Sequence, residues 1–296
     1  MDQHKFTIDD IRIDEFKDPI ITDSILNGLR VYSTHWLGVY TPQHFCFYIM
    51  DDSSKIIAGV YGAISHYLQA KTAWIYKIWA EKTYRGQGFG ANLLAHLNNF
   101  AYNNNCTTIQ VEVFDFQGIA FFEKQGFQTV EIITNVLAGR DKFFMYKAPR
   151  SSFISLDLAP IILDKTENQE IKQAISSGVD YFNTPYFGDG AQKPFSLFIQ
   201  GSSKSVIGGI IGQINNQYAW VNVMWVNDNY RGQGAGIMLW KKLEIYLRSK
   251  NCSIVFVSTL EFQAKLFYEK LGCKCQGTVN KWMGGYNQYW FEKILT

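Results

Sequence analysis

A glycine-rich segment that begins with an arginine occurs twice in the chain. It runs from Tyr84 to Gly90 as Tyr-Arg-Gly-Gln-Gly-Phe-Gly and from Tyr230 to Gly236 as Tyr-Arg-Gly-Gln-Gly-Ala-Gly. Glycines allow unusual backbone angles and close approach of a ligand, and the first N–H groups of a following helix carry partial positive charge without intrahelical partners. An arginine beside such a turn favours a phosphate group. The alternative, a tight turn that binds nothing, is disfavoured because the same arginine and glycines recur.

The sequence around each segment predicts the elements that hold it. An apolar, aromatic-rich run precedes each copy, at 73–80 and 219–226, and predicts a strand. An amphipathic pattern follows each copy and predicts a helix with one apolar face. The apolar positions of that face are Leu93, Leu94, Leu97, Phe100 and Ala101 in the first copy, and Leu239, Trp240, Leu243, Tyr246 and Leu247 in the second.

Two familiar phosphate-binding loops do not fit the spacing. A P-loop needs a lysine and a Ser or Thr after its last glycine, where this chain has Ala91 and Ile237. A dinucleotide-binding fingerprint needs Gly-x-Gly-x-x-Gly close to the start of a βαβ unit, whereas the glycines here alternate and a long β-like region precedes them. A nicotinamide-dependent oxidoreductase is therefore disfavoured.

The pattern Arg-Gly-x-Gly-x-Gly after a strand resembles motif A of the GNAT N-acetyltransferases. Further on, 116–127 and 262–273 resemble the later helix of that family, typically Ala-x-x-x-Tyr-Glu-Lys-x-Gly-Phe. The resemblance covers most of both halves and implies an α/β (α+β) protein of two tandem GNAT domains, each a mixed, mostly antiparallel sheet flanked by helices. We predict domains at 1–149 and 150–296, joined by the polar linker 148–152.

The resemblance also implies a ligand, acetyl-CoA, as co-substrate. In the family the loop holds its pyrophosphate, and the main chain of the preceding strand pairs with its pantetheine arm. The positions that match are Ile78, Trp79, Ala80, Arg85, Gly86, Gln87, Gly88, Phe89 and Gly90 in the first half, and Met224, Trp225, Val226, Arg231, Gly232, Gln233, Gly234, Ala235 and Gly236 in the second.

A tyrosine of the later helix usually gives the departing thiolate its proton in this family. The matching positions are Phe122 in the first half and Tyr268 in the second. Phenylalanine has no proton to donate, so the resemblance makes the second half the better candidate for catalysis. Tyr268 could instead be a packing residue.

The general base has several candidates. Glu81 follows the first loop strand, where some relatives place a catalytic carboxylate, and Asn227 is its counterpart. Asp115 and Glu261 follow the next strand at matched positions. A chain of water molecules would serve equally, so the base stays open.

The expected activity is transfer of an acetyl group, or of a longer acyl group, to a primary amine. A small-molecule acceptor is favoured over a protein because the sequence shows no strongly charged groove. The alternative is a CoA-binding scaffold or sensor in which one or both domains do not turn over.

Composition excludes other classes. The 296 residues carry a net charge of +2 with 18% charged side chains, so no basic field predicts nucleic-acid binding. No apolar run predicts a membrane span and no signal peptide is visible, so we expect a cytoplasmic protein with no membrane partner. Five cysteines without a disulfide spacing predict buried thiols at Cys106 and Cys252, and neither the cysteines nor the five histidines show metal-ligand spacing.

The residues upstream of each loop strand diverge most between the halves. We predict a strand at 5–13 and a helix at 20–32 in the first half, followed by a hairpin. In the second half the offset between equivalent residues grows from 146 to about 150, consistent with a changed hairpin length. In GNAT proteins this region walls the acceptor pocket.

Overall fold

The structure is a computed structural model that describes residues 7–15, 18–39, 41–68, 70–151, 160–188, 192–201 and 204–295. Its helices are α1 (Pro19–Leu37), α2 (Phe89–Asn103), α3 (Ile119–Lys124), α4 (Gln169–Phe187), α5 (Ala235–Ser249) and α6 (Lys265–Lys270). Its strands are β1 (Ile11–Asp14), β2 (Gln43–Met50), β3 (Ile56–His66), β4 (Lys71–Ala80), β5 (Thr108–Phe114), β6 (Gln128–Leu137), β7 (Arg140–Lys147), β8 (Ile162–Asp164), β9 (Lys193–Gln200), β10 (Val206–Asn215), β11 (Tyr218–Val226), β12 (Ile254–Leu260), β13 (Lys274–Met283) and β14 (Tyr286–Ile294).

The chain forms two compact units that do not coincide with its two halves. One unit, here called the split unit, combines Met1–Trp36 with Asp189–Thr296. The other, the continuous unit, is Leu37–Gly188. The contiguous division at 149/150 predicted from the sequence differs from this one, because each half contributes its first strand and helix to the unit built mainly from the other half.

The split unit contains a seven-stranded sheet in the order β1-β9-β10-β11-β12-β14-β13. All neighbours are antiparallel except β11 and β12, which are parallel. The edge strand β1 comes from the first half of the chain and pairs with β9, with Ile11 opposite Ile199 and Asp14 opposite Ser196. The mixed sheet expected of a GNAT domain is confirmed.

The continuous unit repeats this sheet as β6-β7-β5-β4-β3-β2-β8, again with one parallel pair, β4 and β5. Here the edge strand β8 comes from the second half of the chain. It pairs with β2, and Leu163 lies opposite Phe47. The two sheets therefore have the same order with their first strands reciprocally exchanged.

The helices that follow the exchanged strands dock in matching ways. In the split unit a Cβ at Gly28 of α1 would overlap the indole of Trp225, so only glycine permits this approach. In the continuous unit a Cβ at Gly178 of α4 would overlap the indole of Trp79. The same pair of residue types thus fixes each exchanged helix to the strand that leads into the glycine-rich turn.

The opposite face of each sheet carries the helix predicted after each loop. Leu239, Trp240 and Leu243 of α5 are fully buried in the main core of the split unit. Leu93 and Leu97 of α2 are fully buried in the core of the continuous unit. The predicted apolar faces of both helices are confirmed, and each sheet lies between two helical layers.

Two upstream predictions differ from the structure in their bounds. The first strand begins at Ile11 rather than at residue 5, because Ile8–Asp10 form a 3-10 turn closed by the Thr7 and Asp10 side chains, and residues 5 and 6 lie outside the described residues. The helix predicted at 20–32 extends over Pro19–Leu37. The predicted linker, 148–152, falls within the range of the continuous unit, Leu37–Gly188. Arg150 in this linker exchanges two hydrogen bonds with the buried Asn98 side chain, and Ser152 lies outside the described residues.

Candidate functional site

Each sheet opens along its one parallel pair of strands. In the continuous unit β4 and β5 pair only as far as Ile75 and Val111, and a bulge at Tyr76 turns the rest of β4 away. In the split unit the pairing of β11 with β12 ends at Val221 and Val257, and the register shifts at position 222. A bulge bends the strand that carries it, so the strand ends separate into a cleft.

The clefts contain the glycine-rich turns at one end and the later helices along one side. The cavity measures about 890 Å³ in the split unit and about 500 Å³ in the continuous unit. Both volumes lie in the range of small-molecule sites, roughly 300–1,000 Å³. Of the positions predicted to bind the cofactor, all but the two glutamines line these clefts.

The turns adopt nearly identical backbone geometry. Gly88 has φ 91° and ψ −8°, and Gly234 has φ 88° and ψ −7°, immediately before α2 and α5 begin. This left-handed conformation is open to glycine and strained for other residues. A side chain at Gly234 would meet no atom within 4 Å, so the turn leaves room for a ligand beside the free N–H groups of the first helical turn. This arrangement fits a phosphate.

The two arginines hold the turn to its strand. Arg85 Nε donates to the carbonyl of Ala80, and Arg231 Nε donates to the carbonyl of Val226, each at 2.9 Å. Arg231 also pairs with Asp228 at 2.9 Å.

An aromatic ring from the exchanged helix covers each arginine. Phe182 of α4 lies 4.7 Å from the guanidinium carbon of Arg85, and Tyr32 of α1 lies 4.2 Å from that of Arg231. Both rings line their cleft. Each cleft is therefore completed by a helix from the other half of the chain, which the sequence did not reveal.

The side chains of the two predicted glutamines make structural contacts. Gln87 Nε2 donates to the Thr83 carbonyl at 2.8 Å, and Gln233 Nε2 donates to the Asn229 carbonyl at 2.7 Å. Neither residue is among the described residues that line the clefts. Their side chains brace the 3-10 turn that precedes each glycine-rich segment.

Tyr268 and Phe122 occupy the same place in the two units. Tyr268 on α6 lines the cleft of the split unit and packs against Trp240 and Phe291, with ring centroids 5.5 and 5.9 Å away. Burial raises the pKa of Tyr268 well above that of a free tyrosine, so the hydroxyl keeps its proton. Phe122 lines the other cleft and is 1% exposed.

Glu81 lies away from its cleft. Its carboxylate accepts two hydrogen bonds from Lys55 Nζ, at 2.9 and 3.0 Å, across the hairpin between β2 and β3. It is not among the described residues that line the cleft. The counterpart Asn227 caps the 3-10 turn by accepting from the Asn229 N–H. The geometry gives the predicted base role of Glu81 no support.

Asp115 and Glu261 differ in their surroundings. Asp115 faces Arg140, whose Nη1 lies 3.6 Å from a carboxylate oxygen. Glu261 lines the split cleft and accepts from the Asn287 N–H at 3.1 Å, while its own N–H donates to the Asn287 carbonyl. It is the one carboxylate among the described residues that line this cleft.

The part of the chain that the structure describes shows neither a cluster of metal-ligating side chains nor a helix that could span a membrane. There, no three His, Cys, Asp or Glu side chains gather as a metal site would require. None of the described helices is both long enough and apolar enough to cross a bilayer.

The chain belongs to the acetyltransferase (GNAT) family, whose family model matches residues 11–127 and again 163–273. An acetyltransferase of Agrobacterium fabrum is 25% identical over 132 residues, covering 45% of this chain and 96% of its own length. A blasticidin-S acetyltransferase of Streptomyces morookaense is 26% identical over 102 residues, covering 34% of this chain and 75% of its own. The crystal structure of an acetyltransferase from Bacillus cereus is 25% identical, covers 43% of this chain and 94% of its own, and has a TM-score of 0.40. The tandem arrangement predicted from the duplicated motifs is confirmed.

Proposed function

We propose that the split unit transfers the acetyl group of acetyl-CoA to a primary amine of a small molecule. The observation that carries this proposal is one continuous cleft. It contains the phosphate-binding turn, a strand edge released by the bulge, and a buried tyrosine that stays protonated.

The chain's own groups provide the binding. The first-turn N–H groups of α5 and the Arg231 guanidinium face the end of the cleft that fits a pyrophosphate. Beyond the bulge, none of the described strands pairs with Met224–Val226 on the β12 side, because the pairing of β11 with β12 ends at Val221. That edge can hydrogen-bond an extended amide chain such as pantetheine.

Bound acetyl-CoA would supply an acetyl thioester. The amine nitrogen forms a bond to the acetyl carbon and the carbon–sulfur bond breaks, so one proton must leave nitrogen and one must reach sulfur. We infer that Tyr268 donates to sulfur, and its raised pKa keeps that proton on the hydroxyl at neutral pH. Glu261 is the carboxylate that can accept the proton from nitrogen, directly or through water.

The continuous unit is proposed to bind acetyl-CoA with little or no turnover. It retains the turn geometry and the arginine, but Phe122 replaces the acid. In this proposal the continuous unit acts as a CoA-binding scaffold or sensor, the alternative that the sequence leaves open.

A small-molecule acceptor is supported by one relative and one structural property. The relative from Streptomyces morookaense is named for acetylation of blasticidin S, a small molecule. The split cleft measures about 890 Å³, which suits a compact acceptor beside the co-substrate.

Calorimetric titration with acetyl-CoA tests the proposal on three proteins. These are the wild type, Gly88→Asp with Gly90→Asp, and Gly234→Asp with Gly236→Asp, each also assayed for CoA release with an amine panel. We expect a stoichiometry near two that falls to one in each variant, and CoA release lost only in the variant at 234 and 236. Absence of binding in the wild type would refute the acetyltransferase assignment. CoA release that is lost only in the variant at 88 and 90 would indicate that the continuous unit is the catalytic one.

A further inference from the structure

The part of the split cleft on the α1 side of the sheet differs from the rest. Alternation along β12 directs Val255 and Val257 into the core beneath α5. Ser258 and Leu260 therefore face the other side, where α1 lies. Gln288 of β14 is the partner of Leu260 in the register and shares that face. We call this part of the cleft the α1-side pocket.

Gln288 lines the split cleft and carries an unusual group. The residue is 8% exposed, and its Nε2 donates to Ser258 Oγ at 3.1 Å. Its Oε1 is buried, and no donor within the described part of the chain reaches it. A buried carbonyl oxygen without a donor is unfavourable, so such a group in a cleft points to a ligand that supplies the donor.

The continuous unit has a different set of residues at the same positions. The counterparts of Gln288 and Ser258, offset by 146 residues, are Lys142 and Glu112. They form an ion pair of 2.7 Å, and Lys142 is largely buried. In the continuous unit the carboxylate and the ammonium group satisfy each other. In the split unit Gln288 and Ser258 are neutral, and Gln288 Oε1 has no donor among the described residues.

Apolar side chains line much of the α1-side pocket. Leu29 of α1, Val223 and Met283 line it, and Val223 takes the place of Lys77, which pairs with Asp180 in the other unit. Burying a second charge among these apolar groups would be costly. Glu261 follows Leu260 in the chain, and it hydrogen-bonds the backbone of Asn287, the residue before Gln288.

We propose that the α1-side pocket binds the amino group of the acceptor, with Gln288 Oε1 as its hydrogen-bond acceptor, and that it selects amines whose body is apolar and carries no second charge. This inference rests on the proposed function and adds the substrate class and a specificity residue. Ser258 holds the amide in place, and Glu261 lies where the proton leaves.

Gln288→Leu tests this subsite against a matched control, Gln276→Leu. Gln276 lies on β13 of the same sheet, also has a buried amide nitrogen without a partner, and is not among the described cleft residues. The probe is 2-phenylethylamine, titrated calorimetrically into full-length protein saturated with CoA and assayed with acetyl-CoA. 1,4-Diaminobutane is the doubly charged comparison.

We expect Gln288→Leu to weaken amine binding and lower kcat/KM by about 10-fold or more, as for loss of a hydrogen bond to a polar or charged group. The effect should lie mainly in KM. The affinity for acetyl-CoA should stay within about twofold of the wild-type value, a much smaller change than the roughly tenfold effect of losing one hydrogen bond. Gln276→Leu should behave as wild type, and Gln288→Glu, which keeps an acceptor oxygen, should restore amine binding. The diamine should be the poorer substrate.

Equal amine binding in Gln288→Leu and Gln276→Leu would overturn the subsite, and so would absence of amine binding by the wild type. Amine binding that depends on Gln288 but leads to no CoA release would support the subsite and refute the proposed transferase activity instead.

Discussion

Gly28 lies directly against the indole of Trp225, although the two residues belong to opposite halves of the chain. Gly178 and Trp79 make the same contact in the other unit. Each contact fixes an exchanged helix to the strand that leads into a glycine-rich turn. The position of a residue in the sequence therefore does not reveal which cleft it supports.

Substitution of these glycines should act on the unit that contains them. Gly28→Ala places a methyl group into Trp225, and such overpacking should cost about 1–3 kcal/mol. We expect faster hydrogen exchange in β11 and β12 of the split unit for Gly28→Ala, and in β4 and β5 of the continuous unit for Gly178→Ala. Mass spectrometry resolves these peptides. Faster hydrogen exchange in β4 of the Gly28→Ala protein would contradict the assignment of α1 to the split unit.

The fragment 37–188 should fold as a monomer. It contains the complete seven-stranded sheet of the continuous unit together with its docking helix, α4. The contiguous fragment 1–149 lacks β8 and α4, so Trp79 and Cys46 would lose their apolar cover. Light scattering gives the oligomeric state of the two fragments, and urea unfolding gives their stability. A monomeric 1–149 as stable as 37–188 would refute the predicted difference.

Tyr268→Phe should reduce kcat without weakening co-substrate binding. The change removes only the hydroxyl and keeps the packing against Trp240. We expect kcat to fall by about 10²-fold, as for loss of a general acid, with the acetyl-CoA dissociation constant unchanged. Tyr246→Phe is the control, because Tyr246 is buried in the same unit and is not among the described residues lining the cleft. Equal kcat in the two variants would show that Tyr268 is a packing residue.

Ionisation of Cys46 should destabilise the continuous unit at high pH. Burial raises the pKa of this thiol to about 12, beneath Ile171 and Ile175 of α4. An unfolded thiol ionises near pH 8.5, so stability is full below that pH and falls by about 1.4 kcal/mol per pH unit above it, until the folded thiol ionises. Urea unfolding at pH 7.5 and 10 should show a smaller loss for Cys46→Val than for the wild type. Equal losses of stability in the two proteins would exclude ionisation of Cys46 as the cause.

The sequence predicted the loops, their flanking strands and helices, and the contrast between Tyr268 and Phe122, because these depend on local spacing. It could not predict the exchange. Residues 19–37 and 169–187 form helices of equal length with equivalent docking glycines, and both sheets offer the same tryptophan. The glycine and the tryptophan that dock each helix are therefore the same in both units, and their spacing along the chain does not indicate which sheet a helix joins.

Two site features also required three-dimensional information. Glu81 was a plausible base from its place after the loop strand, but the hairpin brings Lys55 to its carboxylate. Gln288 was missed because nothing in its sequence context marks an amide that lacks a donor. The lone acceptor can be recognised only in the structure, where the amide nitrogen of Gln288 donates to Ser258 on the neighbouring strand and the amide oxygen has no donor among the described residues.

The reciprocal exchange of β1 and α1 with β8 and α4 also has an evolutionary consequence. After a gene duplicates, its copies can ordinarily diverge independently, one keeping the ancestral role while the other changes. Here a substitution in the first copy at Leu29 or Tyr32 alters the cleft built mainly by the second. Recombination that replaced one copy would leave both clefts as hybrids, so selection on either cleft constrains both copies of the gene.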